Sequence, residues 1–246
     1  MGPTAFPRSA MLACWLLAVL RGRVDLVRYA EAVRGADPAH LVVGLGLEPL
    51  DLADAAIYLA RDGVGAIGLA LPVPGQPEGL AGPTAFNAAA YVAGEAVVLG
   101  GGGAAPARGL LPRIDARSVV WEVLPAVLPP SLDPGEVGGE LRRALVQATH
   151  GLVGLDVAAW QPGIPDLLAN LRHREPLPLP PGLDPQRLAT IERAVLCLDI
   201  VALAVEEEGA AVSAYEIARR REVLGNLGQI ARRALVGCCS DNLGPS

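Results

Sequence analysis

Apolar residues recur along this chain in two different rhythms, and the change of rhythm near residue 130 divides it. In the first half, short apolar runs are bounded by Gly, Pro and Asp. Residues 40–44 (HLVVG), 66–71, 96–99 and 118–124 (SVVWEVL) read as strands, the last for its β-branched and aromatic content. Between them, residues 9–34 read as one or two helices broken near Gly22. Asp51 is placed to cap a helix that stops at Gly63, and residues 86–93 suit a further helix. Residues 72–83 (PVPGQPEGLAGP) hold too much Pro and Gly for regular structure.

Past a proline-rich hinge at 125–134 the spacing becomes helical. Asp133-Pro134-Gly135-Glu136 is an N-terminal signature, and Leu141, Leu145, Ala148, Leu152, Leu155 and Ala159 then share a face. A short helix is expected from Pro165 to near Arg172, followed by a proline-rich connection over 174–185. Asp184-Pro185 opens another helix, with Leu188, Ile191, Val195, Leu198, Ala202 and Val205 at heptad-like spacing and Gly209 as its stop. Ser213-Ala214-Tyr215-Glu216 is a capping box for the last helix, whose stripe is Ile217, Leu224, Leu227, Ala231, Ala234 and Cys238.

The expected fold is therefore α+β, with α/β as the alternative. A small N-terminal sheet with helices (1–130) would pack against an antiparallel unit of three to four helices (131–246), as two lobes or one integrated domain. No repeat is visible, and strand order does not follow from the pattern.

Composition adds exclusions. Hydrophobic residues make up 52% of the 246, aromatics 4%, and the net charge is −6. Such a chain has the apolar mass for a core and no basic excess for nucleic acid or anionic lipid. All 20 basic residues are Arg. Without Lys there is no phosphate-loop lysine, no Schiff base and no Ser–Lys dyad. Cys14, Cys197, Cys238 and Cys239 lack C-x-x-C spacing, and His40, His150 and His173 lack ligand spacing. Reduced thiols, no zinc and no cofactor are expected.

Residues 10–20 (AMLACWLLAVL) have signal-peptide length, yet Arg21-Gly22-Arg23 follows in place of a small-residue cleavage site. The run is also shorter than the roughly 18 apolar residues that span a bilayer. It reads as a buried helix of a soluble, cytoplasmic protein.

Candidate chemistry is sparse. Gly44-Leu45-Gly46-Leu47-Glu48-Pro49 half-matches a dinucleotide turn but has Pro in place of the third Gly. Gly100 to Gly103 lacks the flanks of a phosphate loop, and no serine sits in a G-x-S-x-G elbow. Arg172, His173 and Arg174 form a weak anion-site candidate beside a more ordinary solvated helix end. The PLPLPP run at 176–181 could be displayed as a polyproline ligand, though a spacer is the plainer reading.

One feature stands out. Asp199 lies within Leu196-Cys197-Leu198-Asp199-Ile200-Val201, on a helix apolar over most of its circumference. A buried carboxylate must be paired or protonated. If the last two helices form a hairpin turning near 209–211, Arg220 is level with Asp199 and suits a two-pronged pair. The pair would fix register or floor a pocket. Asp156 is a second carboxylate in apolar surroundings, and Asn87 and Glu122 are further polar contacts for a pocket between the lobes.

With no catalytic motif, the expected function is a non-catalytic interaction or structural subunit. It would self-associate as a homo-oligomer or dock a protein partner through apolar surface on the first helix and the last turn (Leu235, Val236, Cys238, Cys239). The alternative is a small-molecule enzyme or sensor. Neither nucleic acid nor membrane is an expected partner.

Overall fold

The computed structural model describes residues 6–101, 106–114, 118–153, 176–206 and 214–243. Seven helices and a six-stranded mixed sheet, among the described residues, make an α+β fold. The chain divides into two compact units. The sheet unit comprises Phe6–Leu132, Pro178–Asp184 and Val236–Ser246, and the helical unit is drawn from Asp133–Leu177 and Pro185–Leu235.

In the sheet unit, α1 (Arg8–Leu20) and α2 (Leu26–Arg34) precede β1 (His40–Val43). Then follow α3 (Leu52–Arg61), β2 (Val64–Ala70), α4 (Thr84–Ala93), β3 (Ala96–Gly101), β4 (Arg108–Ile114) and β5 (Val119–Pro125). Strand β6 (Asp241–Asn242) closes the β2 edge, giving the order β1-β5-β4-β3-β2-β6. The β1–β5 pair is parallel and every other pair is antiparallel. Arg21 fastens β6, bonding the Asn242 carbonyl at 2.8 Å and the Asp241 carboxylate at 3.1 Å.

Alternation along the strands supplies two cores. Ile67, Val97, Leu99, Leu110, Val119 and Trp121 face Leu12, Trp15, Leu16, Tyr29 and Leu59 of α1 to α3. On the opposite face Ala70, Ala96, Val98 and Leu111 pack against Phe86 and Ala90 of α4. Gly109 is required there, since the Phe86 ring occupies the space of any β-carbon. Strand β4 carries no β-branched residue before Ile114 and holds Gly and Pro, so its sequence pattern hides it.

The caps follow local chemistry. Asp25, Asp51 and Asp133 each accept a first-turn amide, at 2.7, 2.9 and 2.7 Å. Residues 44–49 do not lead directly into a helix. They return the chain so that Leu50 pairs with Val42 at the β1 edge, and Asp51 then takes the amino end of α3. A carboxylate occupies the place a pyrophosphate would need.

The helical unit contains α5 (Pro134–Val153), α6 (Pro185–Glu206) and α7 (Ala214–Cys239), whose last turn belongs to the sheet unit. The buried stripe of α5 is Val137, Leu141, Ala144 and Ala148, with Leu145 half-buried at its border. On α7, Leu224, Leu227, Ala231 and Ala234 are buried. The Arg233–Glu140 pair at 3.4 Å and the approach of Val223 to Gly151 make α5 and α7 antiparallel. A β-carbon at Gly138 would lie 2.9 Å from Thr190 Oγ1, and one at Gly228 would lie 3.5 Å from Val201. Gly138 thus sets the spacing where α5 meets α6, whereas a β-carbon at Gly228 would make an ordinary contact.

Two expectations need correction. The first helix offers no apolar docking face, because Leu12, Ala13, Leu16 and Leu17 are at most 6% exposed. Leu235, Val236, Cys238 and Cys239 are buried as well. Both runs are apolar because they are core. Among the described residues, no helix is long and apolar enough to cross a membrane.

Candidate functional site

The densest polar constellation among the described contacts lies in the sheet unit, where α1, the α2–β1 turn, β1 and β5 meet. Gly35 ends α2 with positive φ, and the Asp37 amide bonds the Arg34 carbonyl. This turn sets Asp37 three residues ahead of His40, the first residue of β1. Arg8, the first residue of α1, grips both Asp37 oxygens, with Nε on Oδ2 and Nη2 on Oδ1, each at 2.9 Å. In the parallel register His40 aligns with Val119 and Val42 with Trp121, so His40 and Trp121 are diagonal neighbours on the inner face. Their rings are 6.0 Å apart at 54°.

The bonding fixes the tautomer. An indole N–H can only donate, and Trp121 Nε1 gives its proton to His40 Nδ1 at 3.2 Å. Nδ1 must therefore be an acceptor. The imidazole proton sits on Nε2 and is donated to Asp37 Oδ2 at 3.1 Å. Burial, with the nearby Arg8 and Arg34 cations, lowers the His40 pKa against the opposing pull of Asp37. The bonds from Arg8 hold the Asp37 carboxyl down to about 2.

Around the amino end of α1 a second carboxylate takes part. Pro7 gives the helix no side-chain cap, and Glu95 Oε2, at the start of β3, accepts the Ser9 amide at 2.7 Å. Burial raises the Glu95 pKa. The helix dipole and the amide favour its charge, but they do not offset the lost hydration.

An aspartate orienting a histidine is the geometry of a general base, and it would act on a substrate proton through the other nitrogen. That nitrogen is occupied by the Trp121 N–H, and the His40 side chain is fully buried. The arrangement holds α1, β1 and β5 together. Among the described residues, no group of three or more His, Cys, Asp or Glu could hold a metal ion. Burial pushes the Cys197 thiol up to about 11, away from thiolate chemistry.

The residues singled out from sequence lie elsewhere. Asn87 Oδ1 accepts the Gly82 amide at 3.0 Å, fastening the loop before α4. Glu122 pairs with Arg113 at 2.7 Å on the exposed outer face of β5. These two do not share a partner. Asp156, Arg172, His173 and Arg174 lie outside the described residues, as do the helix expected after Pro165 and the Ser213 cap.

Asp199 is 1% exposed on α6, and Arg220 is half-buried on α7. Val201 of α6 lies beside Gly228 of α7. Thr190 lies beside Gly138, close to Glu140, which holds Arg233, so α6 also runs antiparallel to α7. The turn expected near 209–211 lies outside the described residues.

Sequence reasoning missed the Asp37–His40–Trp121 cluster. Asp-x-x-His at the entry to a strand was a usable signal, but Trp121 and Arg8 reach it only through the fold.

The chain belongs to the Rv1486c-like protein family. Residues 9–137 match its N-terminal domain and residues 135–236 its C-terminal domain. No curated protein and no protein of solved structure matches the chain.

Proposed function

We propose that this Rv1486c-like protein is a non-catalytic interaction or structural subunit of the cytoplasm, docking a protein partner or a second copy of itself. The observation carrying this reading is the closed Asp37–His40 pair. The one described aspartate–histidine arrangement with the geometry of a general base has its basic nitrogen bonded to Trp121 and its ring inside the core. Its chemistry is spent on holding secondary structure.

Apolar side chains at the surface support a docking role more modestly. Leu47 in the β1–α3 turn is fully exposed, Val92 on α4 is 91% exposed and Val27 on α2 is 67% exposed. Singly exposed apolar residues are ordinary, but three this bare are natural contact points for a partner.

Light scattering over a hundredfold range of concentration tests the reading. A mass that rises above 25.3 kDa with concentration, or a defined complex with a purified partner, is the expected result. A constant monomer mass, together with a metabolite that raises the melting temperature, would overturn it in favour of a small-molecule enzyme or sensor.

A further inference from the structure

We infer that His40 is an acid-released pin for the β1 edge of the sheet: one proton on Nδ1 breaks its bond to Trp121 and loosens β1 from β5. The geometry leaves no neutral way to accept that proton. An imidazolium donates from both nitrogens, so Nδ1–H would confront the Trp121 N–H with no acceptor between them.

The groups facing the ring come from four elements. Trp121 of β5 holds Nδ1, and Asp37 of the α2–β1 turn holds Nε2. Arg8 of α1 and Arg34 of α2 add positive charge that opposes protonation. Asp37 favours the imidazolium, but both of its oxygens are already engaged by Arg8.

Once β1 opens, the imidazole reaches water and regains its ordinary value of 6.5. The open form then binds a proton more readily than the closed form, and acid draws the equilibrium toward opening. The stabilisation is complete above 6.5 and is lost as pH falls from there toward the lower closed-state value. Strand β1 is suited to yield. It has four residues, lies at the sheet edge, and meets the Val42–Leu50 pairing on its outer side.

Hydrogen exchange of the His40–Val43 amides in the full chain tests this, at pH 7.5 and 5.5 with intrinsic rates corrected. The opening constant should rise about three- to tenfold on acidification. In His40→Gln the amide supplies one acceptor and one donor without titrating, and the rise should disappear. Should that variant fail to fold, Trp121→Phe removes the opposing N–H, frees Nδ1 for a proton, and should shrink the rise. A flat wild-type profile, or a wild-type-sized rise in whichever variant folds, would overturn the inference. So would an imidazole that titrates by NMR at or above 6.5 in the folded protein.

Discussion

The two units offer a comparison between directional bonds and packing. The sheet unit encloses a network, running from Arg8 through Asp37 and His40 to Trp121, with its last two members in the core. In the helical unit Gly138 lets α5 approach Thr190 of α6, and two ion pairs lie toward the surface: Glu140–Arg233, and Arg219–Glu222 within α7. Sheet-unit elements from distant stretches of chain are therefore tied by directional bonds. Helical elements carry buried apolar stripes, as on α5 and α7. Directional bonds fail abruptly when one partner is lost, because the other stays buried and unsatisfied. Packing fails in proportion to the volume removed.

The largest expected effect follows from that contrast. Trp121→Ala opens a cavity and strips His40 Nδ1 of its donor, and should cost about 4 kcal/mol. Leu141→Ala, fully buried on α5, removes packing alone and should cost about 3 kcal/mol. Urea denaturation gives the totals, and hydrogen exchange assigns the loss to β1 and β5 in one variant and to α5 in the other. A smaller loss for Trp121→Ala than for Leu141→Ala would remove the distinction between the units.

How far this was legible in the sequence follows the same division. Helical stripes are local and periodic, so Leu224, Leu227, Ala231 and Ala234 could be read from spacing and prove buried. Caps are local too, and Asp51 and Asp133 bond where their sequence context puts them. Strand β4 escaped because Gly109 and Pro112 break the alternation that marks a strand. Apolar richness was ambiguous by nature, since the same run serves a core or a docking face. For residues 10–20 and the end of α7 the choice depended on which elements fold against them. The Asp37–His40–Trp121 network spans 84 positions and needs the parallel β1–β5 register before its members meet.

A smaller effect probes the outer end of the network. Asp37→Asn keeps a carbonyl acceptor but removes the charge gripped by Arg8, and Arg8 is 35% exposed, so solvent screens part of the loss. About 1 kcal/mol is expected near neutral pH. The sign with pH is fixed by the depressed carboxyl. Its contribution is full above the ordinary 3.8 and fades as pH falls from there toward about 2. The wild-type advantage over Asp37→Asn, followed by urea midpoints from pH 5 downward, should close over that window. An advantage that persists unchanged to pH 2 would assign the loss to shape instead of charge.

The smallest effect concerns the pair the sequence suggested. Asp199 and Arg220 each carry a charge into the helical unit, and each substitution alone can destabilise for reasons of its own surroundings. Only their coupling reports a direct bond. If the two bond each other, as the sequence suggests, a double-mutant cycle of Asp199→Asn and Arg220→Gln should give a coupling of at least about 0.5 kcal/mol. A coupling indistinguishable from zero would give each group a different partner.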